Sequence, residues 1–270
     1  MIVFPNAKIN VGLNITGKRA DGYHNIESVF YPIPLKDVLE IVVANDGVTE
    51  MKISGLDIDG DVSDNSVMKA YRLMKEQYDL PAVKIYLEKI IPFGAGLGGG
   101  SADASFAIRV LNDLFNLGVS IPDMEALAAK IGADCPFFIR NKPAYVTGIG
   151  DELHPLEFSL DGVSFLLVKP DDFVSTKEAY SKVKPKKSVL PVSEMVVKPI
   201  TEWKENVVND FEESVFPGHP TVKRIKELMY EQDALYASMS GSGSSVFGFF
   251  KQKVDAESLF PGMFTFQQKL

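Results

Sequence analysis

The amino-acid sequence predicts a folded protein of mixed helices and strands. Three features carry that reading: residues 1–60 alternate in the manner of strands, amphipathic helical stretches occupy the middle, and a glycine-rich loop stands between a strand and a helix.

Taken in order, Lys8 to Ile15 sets Ile9, Val11, Leu13 and Ile15 on one face, and Val38 to Val43 is rich in β-branched residues. Arg19, Ala20, Asp21 and Gly22 form a polar turn between them. Ser66 to Tyr78 reads as a helix, because Val67, Ala70, Tyr71 and Met74 fall at helical spacing, and Val83 to Ile91 reads as a strand. After the glycine loop, Asp103 to Phe115 carries Phe106, Ala107, Val110, Leu111 and Leu114 as the stripe of a buried helix. A second helix follows, with Ser120 as N-cap, Pro122 near the first turn, Leu127, Ala128 and Ile131 on one face, and Gly132 at its end. Strands return at Ala144 to Thr147 and Ser164 to Lys169. Lys182 to Lys187 reads as a basic, solvated loop, Thr221 to Tyr230 as a helix, and Ser238 to Ser245 as a second glycine and serine loop ahead of the strand Val246 to Phe250. A soft domain boundary near residue 155 separates 1–155 from 156–270, with no linker to mark it.

The balance of 46% hydrophobic and 24% charged residues over 270 positions is that of a folded soluble protein. A net charge of -8 and a pI near 5.0 argue against a nucleic-acid partner, which would need an accumulated basic surface. Any anionic ligand must be held locally, by backbone N–H groups, a few lysines or a metal ion. Cys135 is the single cysteine, so an intrachain disulfide and a thiolate metal cluster are both excluded, which fits a reducing compartment. Met1 to Lys8 lacks the pattern of a secretory signal, and the longest apolar runs are far shorter than the roughly 20 residues that span a bilayer. The expectation is a soluble, cytoplasmic protein with no membrane partner.

Pro92, Phe93, Gly94, Ala95, Gly96, Leu97, Gly98, Gly99, Gly100, Ser101 and Ala102 end a strand and open a helix. Five glycines and Ala95 leave the backbone open to approach, so N–H groups can converge on phosphate oxygens while the helix adds its positive end. Gly94, Gly96 and Gly99 satisfy the dinucleotide pattern GxGxxG, but the order fails: Asp113 lies within the helix, and a second helix follows where a parallel strand is required. The Walker pattern fails too, because no Gly-Lys-Ser/Thr ends the loop.

The loop resembles the second motif of the superfamily of galactokinase, homoserine kinase, mevalonate kinase and phosphomevalonate kinase. That resemblance implies that residues 92–102 wrap the ATP phosphates, with Ser101 near phosphate or magnesium. Ser240, Gly241, Ser242, Gly243 and Ser244 resemble its third motif, near the reacting phosphate, with Ser244 where a smaller residue is often found.

Phosphoryl transfer needs alignment, charge neutralisation and something to receive the hydroxyl proton. Asp134 is the candidate for the last role, although by itself an aspartate between Gly132 and Pro136 reads first as a helix-terminal or turn residue. Lys8, in an otherwise apolar strand, by itself reads as a solvated outward lysine. Pro5, Asn6, Ala7, Lys8, Ile9, Asn10 and Gly132, Ala133, Asp134, Cys135, Pro136, Phe137, Phe138 resemble the first motif and the catalytic segment of the 4-diphosphocytidyl-2-C-methyl-D-erythritol kinases. The usual Ser/Ala-Pro-Ala-Lys is here Pro-Asn-Ala-Lys, with the proline displaced by one position and the lysine in register. The resemblance implies that Asp134 takes the proton, that Lys8 holds it ionised, and that Asn10 positions the acceptor.

Asp21, Gly22, Tyr23 and His24 resemble that family's cytidine pocket, which implies that Tyr23 and Tyr180 sandwich the base, His24 reads its polar edge and Thr176 lies close by. The implied substrate-binding set is Asn10, Tyr23, His24, Thr176, Tyr180, Gly241, Ser242 and Gly243. The implied reaction is ATP-dependent phosphorylation of the 2-hydroxyl of 4-diphosphocytidyl-2-C-methyl-D-erythritol by a monomer or homodimer. Magnesium would accompany ATP through phosphate oxygens, with no metal site supplied by the protein itself. The implied fold is α+β in two domains: an N-terminal one of the ribosomal-protein-S5-domain-2-like type and a ferredoxin-like C-terminal one.

Overall fold

The computed structural model describes residues 1–57, 60–186 and 190–270. In chain order its strands are β1 (Ile2–Val3), β2 (Asn6–Lys18), β3 (His24–Lys36), β4 (Val38–Val43), β5 (Glu50–Gly55), β6 (Val83–Lys89), β7 (Ala144–Thr147), β8 (Glu152–Pro155), β9 (Ser164–Lys169), β10 (Tyr236–Met239), β11 (Val246–Phe250) and β12 (Phe264–Lys269). The helices are α1 (Ser66–Tyr78), α2 (Gly99–Leu114), α3 (Ile121–Ala129), α4 (Cys135–Arg140), α5 (Thr176–Ser181), α6 (Val192–Met195), α7 (Phe211–Val215), α8 (Pro220–Glu231) and α9 (Ala256–Leu259). Lys187, at the end of the expected basic loop, lies outside the described residues.

The chain divides into two compact units. One comprises Met1–Ala7, Leu35–Phe93 and Gly98–Lys142; the other comprises Lys8–Pro34, Gly94–Leu97 and Pro143–Leu270.

In the first unit, β1, β4, β6 and β5 form one sheet in that order, antiparallel except for the parallel β5–β6 pair. Helices α1 to α4 pack around α2, which also touches β4. Helix α1 buries the expected Val67, Ala70, Tyr71 and Met74, and Asn65 caps it through a side-chain bond to the Val67 N–H. Ser120 caps α3 in the same way through the Asp123 N–H. Helix α2 starts four residues earlier than its apolar stripe, at Gly99, because Gly98 with φ of 70° turns the chain into it.

In the second unit, β10, β11, β9 and β12 form an antiparallel sheet, backed by α8 on β10 and β11 and by α9 on β12. Its core gathers Leu166, Val168, Met239 and Val246 from the sheet with Val222, Ile225 and Met229 from α8. The third sheet, in the order β2, β3, β7, β8, lies almost wholly in this unit. Strand β2 is buried on both faces from Asn6 to Leu13, so alternation alone could not tell which face meets a core. Ser238 and Met239 belong to β10, so the second glycine and serine loop begins at Ser240, two residues later than the sequence suggests. Ser238 and Met239 continue the β10–β11 ladder, paired with Phe247 and Val246.

Candidate active site

Residues two apart on a strand face the same way, and β2 thereby presents Lys8 and Asn10 together. Lys8 is 3% exposed, which removes the solvated reading. Its ammonium donates to Asn10 Oδ1 at 2.6 Å and stands 4.4 Å from the centre of the Phe30 ring. Asn10 Nδ2 donates to Ser28 Oγ at 2.9 Å, and Ser28 Oγ donates to the Gly12 carbonyl at 2.7 Å. The chain of donors orients the Asn10 amide and aims its oxygen at the lysine. Ser28 was not foreseen; the signal was a serine inside an apolar stretch of β3.

The same strand carries the two glycine loops. Lys8 N–H donates to the Leu97 carbonyl at 2.9 Å, Asn10 N–H donates to Ser240 Oγ at 3.3 Å, and Ser240 Oγ donates to the Gly96 carbonyl at 2.9 Å. Gly96, with φ of +73°, lies so close to the second loop that a Cβ there would sit 2.0 Å from the Ser240 carbonyl oxygen. At Gly241 a Cβ would sit 3.2 Å from the Gly96 carbonyl oxygen and 3.4 Å from Asn10 Oδ1. Asn209 Nδ2 holds the second loop by donating to the carbonyls of Met239 and Gly241 at 2.7 and 2.9 Å. Ser242 Oγ is 3.5 Å from Thr176 Oγ1 at the start of α5, while Ser244 is buried and donates to the Asp172 carbonyl. Ala95 and Leu97 are buried, so their side chains pack into the protein.

Pro92, Phe93 and the residues from Gly98 to Ala102 belong to the first unit. Gly98 caps α2, Gly100 and Ser101 open its first turn, and the Ala102 N–H closes that turn on the Gly98 carbonyl at 2.9 Å. A helix start of this kind offers N–H groups to an anion. Gly99 is also closely packed: a Cβ there would meet Ile91 Cγ2 at 2.9 Å. Phe93 is exposed, beside Pro92. A buried triad that sequence reasoning missed holds both ends of this stretch. Lys89 pairs with Asp37 and, at 2.7 Å, with Asp103 Oδ2, while Asp37 Oδ1 accepts the N–H groups of Ile90 and Ile91 at 2.6 and 2.8 Å. Burial pushes the Asp103 carboxyl up to about 7 against the pull of Lys89. An aspartate at the head of the apolar stripe of α2 was the available signal.

Asp134 occupies the N-cap position of α4, at the junction that leads into Cys135 and Pro136, without a side-chain cap bond. Ser105 Oγ donates to the Cys135 and Ser101 carbonyls at 2.7 and 2.8 Å, tying α4 to α2 directly beside Asp134. Burial pushes the Cys135 thiol up to about 11, which removes it as a nucleophile at neutral pH.

At the hairpin between β2 and β3, Asp21 Oδ1 accepts the Tyr23 N–H at 3.0 Å and the Arg19 N–H closes the turn on the Tyr23 carbonyl at 2.8 Å. Tyr23 is 61% exposed. The ring stacked on Tyr180 is that of His24, with centroids 4.9 Å apart and planes at 24°, and Phe211 meets Tyr180 edge-on. Burial and the Lys18 charge lower the His24 pKa and favour the neutral ring, which has one donor and one acceptor.

Two glycine loops built around a buried lysine, in a chain of mixed sheets and helices, define a class of small-molecule kinase. Residues 65–142 match the GHMP kinases N terminal domain and residues 194–263 match the GHMP kinases C terminal domain. The 4-diphosphocytidyl-2-C-methyl-D-erythritol kinase of Bacteroides fragilis is 52% identical over 100% of both chains. A crystal structure of a 4-(cytidine 5'-diphospho)-2C-methyl-D-erythritol kinase aligns with a TM-score of 0.85 at 30% identity, covering 99% of this chain and 98% of that one. The mevalonate kinase of Methanococcus jannaschii shares the fold, with a TM-score of 0.74 at 14% identity over 99% and 97% of the two chains. The chain belongs to the 4-diphosphocytidyl-2-C-methyl-D-erythritol kinase family of the GHMP kinases. Among the described residues no helix is long and apolar enough to cross a membrane.

Proposed function

We propose that the protein transfers the γ-phosphoryl group of ATP to the 2-hydroxyl of 4-diphosphocytidyl-2-C-methyl-D-erythritol in the cytoplasm, as a monomer or homodimer. The observation that carries this reading is the Lys8–Asn10 pair, buried and fixed against both glycine loops. The acceptor oxygen forms a bond to the γ-phosphorus as the bond from that phosphorus to the bridging oxygen breaks. ADP leaves, and the hydroxyl proton passes to Asp134. Lys8 neutralises charge on the moving group while Asn10 orients the acceptor. Residues 92–102 hold the ATP phosphates and Gly241, Ser242 and Gly243 approach the reacting end. Tyr23, His24, Thr176 and Tyr180 take the cytidine part, where a neutral His24 supports recognition of a base edge.

Magnesium would be held chiefly through the ATP phosphate oxygens, and the Ser101 hydroxyl, in the first turn of α2, would be the protein oxygen nearest to hand. Bound there, it would neutralise charge on the phosphate oxygens. The family matches at 65–142 and 194–263 fall one on each side of residue 155, which supports 1–155 and 156–270 as the two domains in sequence.

An ADP-release assay with the diphosphocytidyl alcohol, homoserine and mevalonate as alternative acceptors tests the reading. Release with the first alone, competed by cytidine diphosphate, is expected. ATP binding without release in its presence would overturn the acceptor assignment.

A further inference from the structure

The segment from Lys169 to Thr176 joins the end of β9 to α5, and it is tied to both glycine loops. On the side of the second loop, the Asp172 carbonyl accepts from Ser244 Oγ and, at 3.1 Å, from Lys169 Nζ. Val174 is buried with a methyl 3.6 Å from where a Cβ on Gly243 would stand, and Thr176 reaches Ser242. His219, at the start of α8, fixes the segment from behind: Nδ1 lies 3.4 Å from Asp172 Oδ1 and Nε2 lies 3.1 Å from Glu178 Oε1 on α5.

On the side of the first loop, Phe173 makes contact. Its ring lies over Gly94, where φ is +61° and a Cβ would come within 2.8 Å of Phe173 Cε2 and 3.2 Å of Cδ2. Gly94 is the first residue of the short stretch Gly94–Leu97 that belongs to this unit. The ring is nevertheless 61% exposed. A lone exposed phenylalanine needs no explanation in itself, and the area it buries adds little to the fold. What calls for one is its setting: both chain neighbours are locked to the second glycine loop while the ring rests on the first. Carbon contacts of this kind are individually weak, but they fix the backbone position of a glycine that has no side chain of its own to hold it.

We infer that Phe173 is a positioning residue: it holds the first glycine loop in its phosphate-receiving form and couples that loop to the segment bearing Thr176 and Tyr180. The inference rests on the reading of residues 92–102 as the ATP loop. Because backbone N–H groups bind phosphate only when aligned, releasing the ring should act on ATP affinity before anything else. A misplacement of about an ångström at such a site costs on the order of tenfold to a hundredfold.

The test compares Phe173→Ala and Phe173→Tyr with the parent in the full chain, by calorimetric titration with magnesium ATP, steady-state kinetics and thermal melting. The Ala variant is expected to weaken ATP binding and raise the KM for ATP about tenfold, with kcat changed less than threefold. Its melting point should move by less than about 2 °C, as for other exposed positions. Tyr keeps the ring on Gly94 and should restore the parent affinity. Unchanged ATP affinity in the Ala variant overturns the inference, and so does a loss that Tyr fails to restore or that a fall in melting point accompanies. The titration needs no turnover. A parent that binds ATP but leaves the diphosphocytidyl alcohol untouched defeats the acceptor assignment and not this inference, whereas a parent that binds no ATP defeats both.

Discussion

Replacing Gly96 by alanine should damage the protein through the contact between its two glycine loops. The added Cβ would stand 2.0 Å from the Ser240 carbonyl oxygen and 3.2 Å from that of Gly243, where nonbonded carbons keep at least 3.0 Å, so one loop must retreat by about 1 Å. Neither is free to do so cheaply, because Leu97 is bonded to Lys8, Gly96 to Ser240 and Gly241 to Asn209. The left-handed backbone at φ of +73° adds about 1–2 kcal/mol for any residue with a Cβ, and overpacking adds about 1–3 kcal/mol. The sum, about 2–5 kcal/mol, corresponds to roughly 4–20 °C in melting point for a domain of this size. Gly100→Ala is the control. It lies in the first turn of α2 with Ser66 Oγ as its nearest neighbour at 3.7 Å, so its melting point should hold or rise by up to about 4 °C. Thermal melts and ATP titrations of both variants settle the matter. A Gly96→Ala protein that melts within 1 °C or so of the parent and binds ATP equally well would refute the loop-to-loop contact.

Two further substitutions probe separate parts of the site. Tyr23→Ala should weaken binding of the diphosphocytidyl substrate by about 1–3 kcal/mol while ATP affinity stays within twofold or so, measured by calorimetry; equal losses for both ligands would point to a general defect. Asp103→Asn should raise the melting point more at pH 8 than at pH 5. The Asp103 carboxyl titrates near 7 in the folded chain against 3.8 as its ordinary value, so burying its ionised form costs stability that grows as pH rises through that window. An advantage independent of pH would show that Lys89 already compensates the charge fully.

Much of the fold was legible because local signals agreed with each other. Helices α1 and α3 carried apolar spacing, and Ser120 marked the start of α3 as well; β4, β7, β9 and β11 were visible as β-branched or apolar runs. Helix α4 was missed because Pro136 reads as a break, although proline is welcome in a first helical turn. Helix α5 is too short for a stripe, and β12 has polar residues at one end. The division of the chain into units was not legible, because it falls inside β2 and β3 at Ala7 and Pro34 rather than at a linker.

The site divides in the same way. Glycine in a loop announces that something comes close, but not what: the sequence suggested phosphate for all five, and at Gly96 and Gly99 the protein itself also comes close. Lys8 drew attention as a charge in an apolar strand and Asn10 as its neighbour on the same face, yet Ser28, which fixes the Asn10 amide, lies on a neighbouring strand. Lys89 and Asp37 lie 52 positions apart, so their pairing had no local signature.

The measurement that bears most directly on the proposed chemistry is kcat for Asp134→Asn, taken with substrate affinity and melting point on one preparation. The amide keeps the shape of the carboxylate but cannot accept the proton of the acceptor hydroxyl. The account predicts a kcat lower by roughly a hundred- to ten-thousand-fold, with both substrates bound and the fold intact. Turnover within a few-fold of the parent would contradict it.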